Sequence, residues 1–169
     1  MVNEEDVEAF WTRGDIHSRV HLAMTKANLV NKKLEIEELF PVDQYHARGI
    51  AATVDLGKRM PIKKNQSILD IGCGLGGPAR YYAKEFECII TGIDITPSFV
   101  EIGNEFNKIT SMSNKVGLKV GNGEILDFKN RYLKVTVDNR FLPSLFLPLS
   151  SSFFLLLSFF LLLSSSFFF

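Results

Sequence analysis

Ile16, Val20, Ala23, Met24 and Ala27 recur at intervals of three and four residues, the spacing that gathers side chains on one face of a helix. Asp15 stands just ahead of them, where a carboxylate can cap the first turn. The same periodicity predicts a short amphipathic helix over residues 4–11 and another over 35–39, ended by Pro41. A further helical segment over 44–59 carries Ile50, Ala51, Val54 and Leu56 and is closed by Pro61. Residues 1–60 are thus expected to form an N-terminal helical cap.

Beyond residue 60 the pattern changes. Residues 67–71, 88–93 and 116–120 are short, nearly continuous apolar runs, which is how strands buried on both faces read. Between them lie helical stretches. One covers 78–86 with Pro78 near its first turn, and one opens at Pro97 and Ser98 and runs through Phe99, Val100, Ile102 and Phe106. Strand and helix alternation predicts an α/β, Rossmann-like fold, with a mostly parallel sheet, helices on both faces and right-handed crossovers. Residues 133–137 read as a fourth strand. A doubly wound sheet normally has more, so residues 61–140 are expected to be a partial domain with an incomplete C-terminal half.

Composition divides the chain again. Its 169 residues carry 19 basic and 19 acidic side chains, so the balanced charge gives no reason to expect nucleic acid as a partner. All of those charges lie at or before Arg140. The last 29 residues, 141–169, contain only ten Leu, nine Phe, eight Ser and two Pro. This low-complexity tail admits two readings. It is long enough for a membrane helix, and Arg131, Lys134 and Arg140 ahead of it would place the N-terminal part on the cytoplasmic side. Phe, Leu, Ser and Pro are also the residues that all-pyrimidine codons encode, so a translated polypyrimidine tract fits as well. A membrane partner is expected only under the first reading. The acidic N-terminus shows no signal-peptide pattern, and two cysteines, Cys73 and Cys88, do not make a disulfide framework, so a cytoplasmic setting is expected.

The chemistry concentrates in Asp70-Ile71-Gly72-Cys73-Gly74-Leu75-Gly76-Gly77-Pro78. Glycines at a strand-to-helix turn permit positive φ and close approach of the backbone to a ligand. Gly72, Gly74 and Gly77 satisfy the dinucleotide fingerprint, which keeps an NAD-dependent oxidoreductase open. Asp70 argues otherwise, since its carboxylate would repel a pyrophosphate and suits the cationic amino-acid end of S-adenosylmethionine (SAM). Asp94, ending the second strand, can accept hydrogen bonds from ribose hydroxyls in either cofactor. It could instead cap the following helix, although Thr96 and Ser98 are better placed to do so.

The stretch ILDIGCGLGGPARYYAKEFECIITGIDITPSF resembles the first two motifs of class I SAM-dependent methyltransferases. It is especially similar to the small-molecule branch that includes quinone-biosynthesis and sarcosine/dimethylglycine methyltransferases. FPVDQYHARG resembles the cofactor lid of that branch, and the likeness spans roughly residues 40–128. The resemblance implies that Gly72, Gly74 and Gly76 wrap the methionine part of SAM and that Asp94 binds the ribose. It also implies that the residues after the third strand lie near the adenine. There the family usually has an acid followed by a small residue, and this chain has Asn122 and Gly123. Ile95 is placed to pack on the adenine face, and Gln44 and Tyr45 to touch the methionine end.

A sulfonium methyl group is already strongly electrophilic, so the cofactor motif demands no particular catalytic residue. His46 is the candidate base, alongside the plainer reading of His46 and Arg48 as a solvated helix face. His17 and His21, four residues apart, lack the further ligands that a metal site needs, and no metal is expected. The expected activity is methyl transfer to a small-molecule acceptor. The alternatives are an incomplete, non-catalytic domain, with or without a membrane anchor, and the oxidoreductase.

Overall fold

The computed structural model describes residues 15–46 and 48–123, together with the backbone of two strands at 135–136 and 153–157. The expected helix over residues 4–11 lies outside the described residues.

Three helices come first. α1 (Ile16–Lys26) starts as the pattern predicts, with the Asp15 side chain accepting from the His17 amide at 3.0 Å. It buries Ile16, Val20 and Met24. α2 (Ile36–Asp43) does not end at Pro41, which sits inside it. A proline lacks one amide donor, and a helix of 8 residues can absorb that loss near its end. α2 opens on a capping box in which the Glu38 side chain accepts from the Glu35 amide at 3.0 Å. α3 (Ile50–Gly57) is shorter than the expected segment over 44–59. Arg48 and Gly49 both take positive φ, at 66° and 52°, and form a turn, and residues 44–46 are not helical.

β1 (Ser67–Ile71), α4 (Gly77–Glu85), β2 (Ile89–Asp94), α5 (Pro97–Ile109) and β3 (Val116–Val120) follow in the expected order. β4 (Val135–Thr136) falls within the expected fourth strand, and β5 (Phe153–Leu157) comes from the low-complexity tail. The sheet order is β3-β2-β1-β5-β4 and every pairing is parallel. The fold is the expected α/β, Rossmann-like one. β1 lies at the switch point, with β2 and β3 on one side and β5 on the other. In open sheets of this kind, ligands bind outside the carboxyl ends of the strands at that point.

Ile68, Ile90 and Val116 are neighbours in register on adjacent strands, and α4 and α5 pack on them through Ala79, Tyr82, Ala83 and Val100. A second cluster joins the cap to the sheet domain, with Val20, Met24 and Leu39 against Leu75, Ile102 and Phe106. Among the described residues no helix is long and apolar enough to cross a membrane.

Candidate functional site

The glycine loop owes its shape to three left-handed residues. Gly72, Gly74 and Gly76 have φ of 73°, 52° and 74°, a region that L side chains enter only with strain. The loop is pinned to β2, because the amides of Gly72 and Cys73 both donate to the Ile93 carbonyl, at 2.8 and 3.0 Å. Gly74 has open space on the side where a Cβ would stand. Gly76 and Gly77 are crowded. A Cβ on Gly76 would lie 2.8 Å from Leu118, and one on Gly77 would lie 2.4 Å from the Asp43 carbonyl oxygen. The same position on Gly77 is 2.7 Å from Gln44 Nε2, so the end of α2 closes directly on the loop.

Two carboxylates flank this loop. Asp70, near the end of β1, is wholly buried. Asp94, ending β2, is 9% exposed and ties the local structure together. Its Oδ2 accepts from the Gly74 amide at 2.8 Å and its Oδ1 from the Thr96 amide at 2.9 Å. Asp94 thus holds the amide of Thr96, the residue just ahead of α5, and neither Thr96 nor Ser98 makes a side-chain cap. That corrects the sequence expectation. A carboxylate at the strand end reaches back to the loop and forward to the residue that leads into α5 at once, which a hydroxyl at the cap cannot do. Each carboxylate oxygen keeps a second lone pair, so Asp94 can still accept from a ligand hydroxyl.

The segment after β3 returns over the strand ends. The Gly121 amide donates to the Asp94 carbonyl at 2.9 Å, and Gly123 lies so close to Ile71 that a Cβ would stand 2.5 Å from its side chain. Asp70, Gly72, Gly74, Asp94, Asn122 and Gly123 are therefore gathered at the carboxyl ends of β1, β2 and β3, with Ile95 half-buried beside them. Cys73 is buried in the loop, and burial, with Asp70 and Asp94 nearby, pushes its thiol well above the ordinary range.

The residues of the expected lid divide. Gln44 is buried, and its Oε1 accepts from Thr53 Oγ1 at 2.6 Å. Tyr45 turns toward the cap, where its hydroxyl accepts from Arg19 Nη2 at 2.9 Å and its ring meets Phe99 edge-on at 5.8 Å. His46 Nε2 lies 3.2 Å from Thr53 Oγ1. Arg48 pairs with Asp55 at 2.6 Å on the surface. His17 and His21 are exposed, His17 facing Glu101 at 3.5 Å, and no metal-binding cluster exists among the described residues.

Sequence reasoning missed the strongest polar feature. Arg80, on α4, is 0% exposed and joins α2, the glycine loop and α5. Its Nε and Nη2 donate to Asp43 Oδ2 at 3.3 and 3.1 Å, and Nη2 also reaches the Leu75 carbonyl at 2.5 Å. Nη1 donates to the Gly103 carbonyl at 3.1 Å and to Asn107 Oδ1 at 2.8 Å, while the guanidinium lies over the Phe106 ring. Burial pushes the Asp43 carboxyl up and the guanidinium holds it down, and burial likewise lowers Arg80. Arginine stays protonated at any physiological pH, and Asp43 Oδ2 lies 3.1 Å from its Nη2. The available signal was a charged residue among the apolar positions Ala79, Tyr82 and Ala83 of α4.

Residues 68–144 match the family model described as a methyltransferase domain. That match covers just under half of the chain. A sterol 24-C-methyltransferase of Debaryomyces hansenii is 31% identical over 74 residues, which are 44% of this chain and 20% of that protein. A probable chloroplastic tocopherol O-methyltransferase of Oryza sativa subsp. japonica is 39% identical over 59 residues, 35% of this chain and 16% of that one. The chain thus spans about a fifth or less of the length of these relatives. The geranyl diphosphate C-methyltransferase of Streptomyces coelicolor A3(2), solved with S-adenosyl-L-homocysteine, superposes with a TM-score of 0.54 at 16% identity. That superposition covers 74% of this chain and 50% of the other and establishes a common fold.

Proposed function

We propose that the chain binds SAM at the carboxyl ends of β1 and β2 and serves methyl transfer to a small-molecule acceptor. The observation that carries this is the pairing of two carboxylates, Asp70 and Asp94, with a glycine loop whose outer face is open at Gly74. An acid-flanked crevice suits a cationic, phosphate-free cofactor and disfavours a pyrophosphate. Asp70 would hold the ammonium of the methionine end, directly or through water. Asp94 would take the ribose hydroxyls, and Asn122, Gly123 and Ile95 would border the adenine. When bound, SAM supplies an electrophilic methyl group on a sulfonium. The chain's own residues position the acceptor and exclude water. His46, on the turn that Gln44 seats against the loop, is the residue we place toward an acceptor proton. The relatives methylate carbon in one case and oxygen in another, as their names state, so the matched segment serves more than one acceptor atom.

Thermal unfolding of the full chain tests the cofactor. SAM or S-adenosylhomocysteine at about a hundred times its dissociation constant should add about 2.7 kcal/mol, a rise of roughly 5–10 °C. Asp70→Ala should abolish the rise. Stabilisation by NAD without any by SAM would reverse the assignment.

A further inference from the structure

Among the described strands β3 ends the sheet, with β2 on one side only. The Lys115 carbonyl and the Gly121 amide bond to β2, at 2.8 and 2.9 Å, so by alternation Val116, Leu118 and Val120 turn their backbone groups outward. An open edge of this kind is a template for pairing with another chain. Here α5 closes it. Asn104 Nδ2 donates to the Leu118 carbonyl at 3.0 Å, and Asn104 Oδ1 accepts from the Leu118 amide at 3.1 Å. Asn107 Nδ2 donates to the Val116 carbonyl at 3.0 Å, and the Met112 carbonyl takes the Val116 amide at 2.9 Å. Valence fixes the Asn107 amide, because the Arg80 guanidinium can only donate. Oδ1 must therefore face Arg80 Nη1 and Nδ2 the strand. The closure stops at Leu118. Among the described residues no side chain of α5 reaches the backbone of Val120, which is 56% exposed.

We propose that Asn104 and Asn107 stand in for a neighbouring strand and withhold the β3 edge from pairing with a second copy of this chain. The two-point contact of Asn104 reproduces the donor and the acceptor that a paired strand would offer at Leu118. Val120 alone is left open, and a single position is short of the roughly three residues that a strand needs. Neither cofactor nor acceptor enters this inference, so it stands or falls apart from the proposed function.

Amide hydrogen exchange of the full chain, resolved by residue and followed with sedimentation velocity over a range of protein concentrations, tests it. In wild type the Leu118 amide should exchange slowly and the Val120 amide fast. Asn104→Ala removes the contact at a half-buried residue and should speed exchange at Leu118 about tenfold at low concentration, the scale of one lost hydrogen bond. At high concentration this variant should sediment as a larger species than wild type, with Leu118 and Val120 protected together. Adding Val120→Pro removes a donor that only a second strand would use, and should return the mass to that of wild type. A wild-type Leu118 amide that exchanges as fast as that of Val120 overturns the proposal with no variant at all, which keeps the test decisive if Asn104→Ala does not fold. An Asn104→Ala chain that matches wild type in mass at every concentration, or that associates while Val120 still exchanges freely, overturns it as well.

Discussion

Removing the partner of Arg80 gives the sharpest test of what joins the cap to the sheet domain. Asp43→Leu leaves a guanidinium with 0% exposure and no counterion. Breaking a buried ion pair from one side costs about 3–5 kcal/mol. Here the Leu75 and Gly103 carbonyls and Asn107 Oδ1 remain as acceptors, which sets the expectation at the lower end, about 3 kcal/mol. For a chain of this size that corresponds to a melting temperature lower by roughly 6–12 °C. Urea unfolding followed by far-ultraviolet circular dichroism reads the same loss as a lower midpoint. The companion double variant, Asp43→Leu with Arg80→Met, removes both charges and fills the site with apolar groups. It should recover most of the loss, because desolvating the pair offsets much of its attraction. A single variant within about 1 kcal/mol of wild type, or a double variant as unstable as the single, would refute the account of Arg80 as a desolvated charge that depends on Asp43.

Further outcomes follow from the same geometry. Asp94→Asn places an amide group among two amide donors that now share the carboxylate. It should cost about 1–2 kcal/mol in urea unfolding, and a loss of SAM binding with unchanged stability would show that the loop does not depend on this tie. Gly92→Ala would set a Cβ 2.6 Å from Leu118 and 2.8 Å from Cys73 Sγ, so overpacking should cost about 1–3 kcal/mol, and an unchanged midpoint would contradict it. Both cysteines are buried, and burial pushes the Cys88 thiol up to about 11. Neither should react with a thiol reagent at neutral pH until the protein unfolds, and prompt labelling of the native chain would refute this. The sign of the pH effect follows. Unfolded thiols lose their protons near pH 8.5 while folded Cys88 keeps its proton to about 11, so stability should fall as pH rises across that interval. A flat urea midpoint across the interval would contradict this.

Much of this protein is decided by local pattern. β1 and β3 span the residues that their apolar runs mark, and α1 starts at the cap that Asp15 provides. The glycine loop is legible because positive φ at Gly72, Gly74 and Gly76 is a backbone property that residue type announces. Tertiary structure decided what depends on residues far apart in the chain. α2 runs through Pro41 and delivers Asp43 to Arg80, 37 positions later. Arg48 and Gly49 break the helix that periodicity predicts, and that turn places Gln44 and His46 on Thr53. Asp94 ties the glycine loop to the Thr96 amide ahead of α5, a double role visible only once β2 lies beside β1. Periodicity records which face of a segment is apolar. The partner of a buried charge is chosen by packing between segments, and no spacing along the chain encodes that choice.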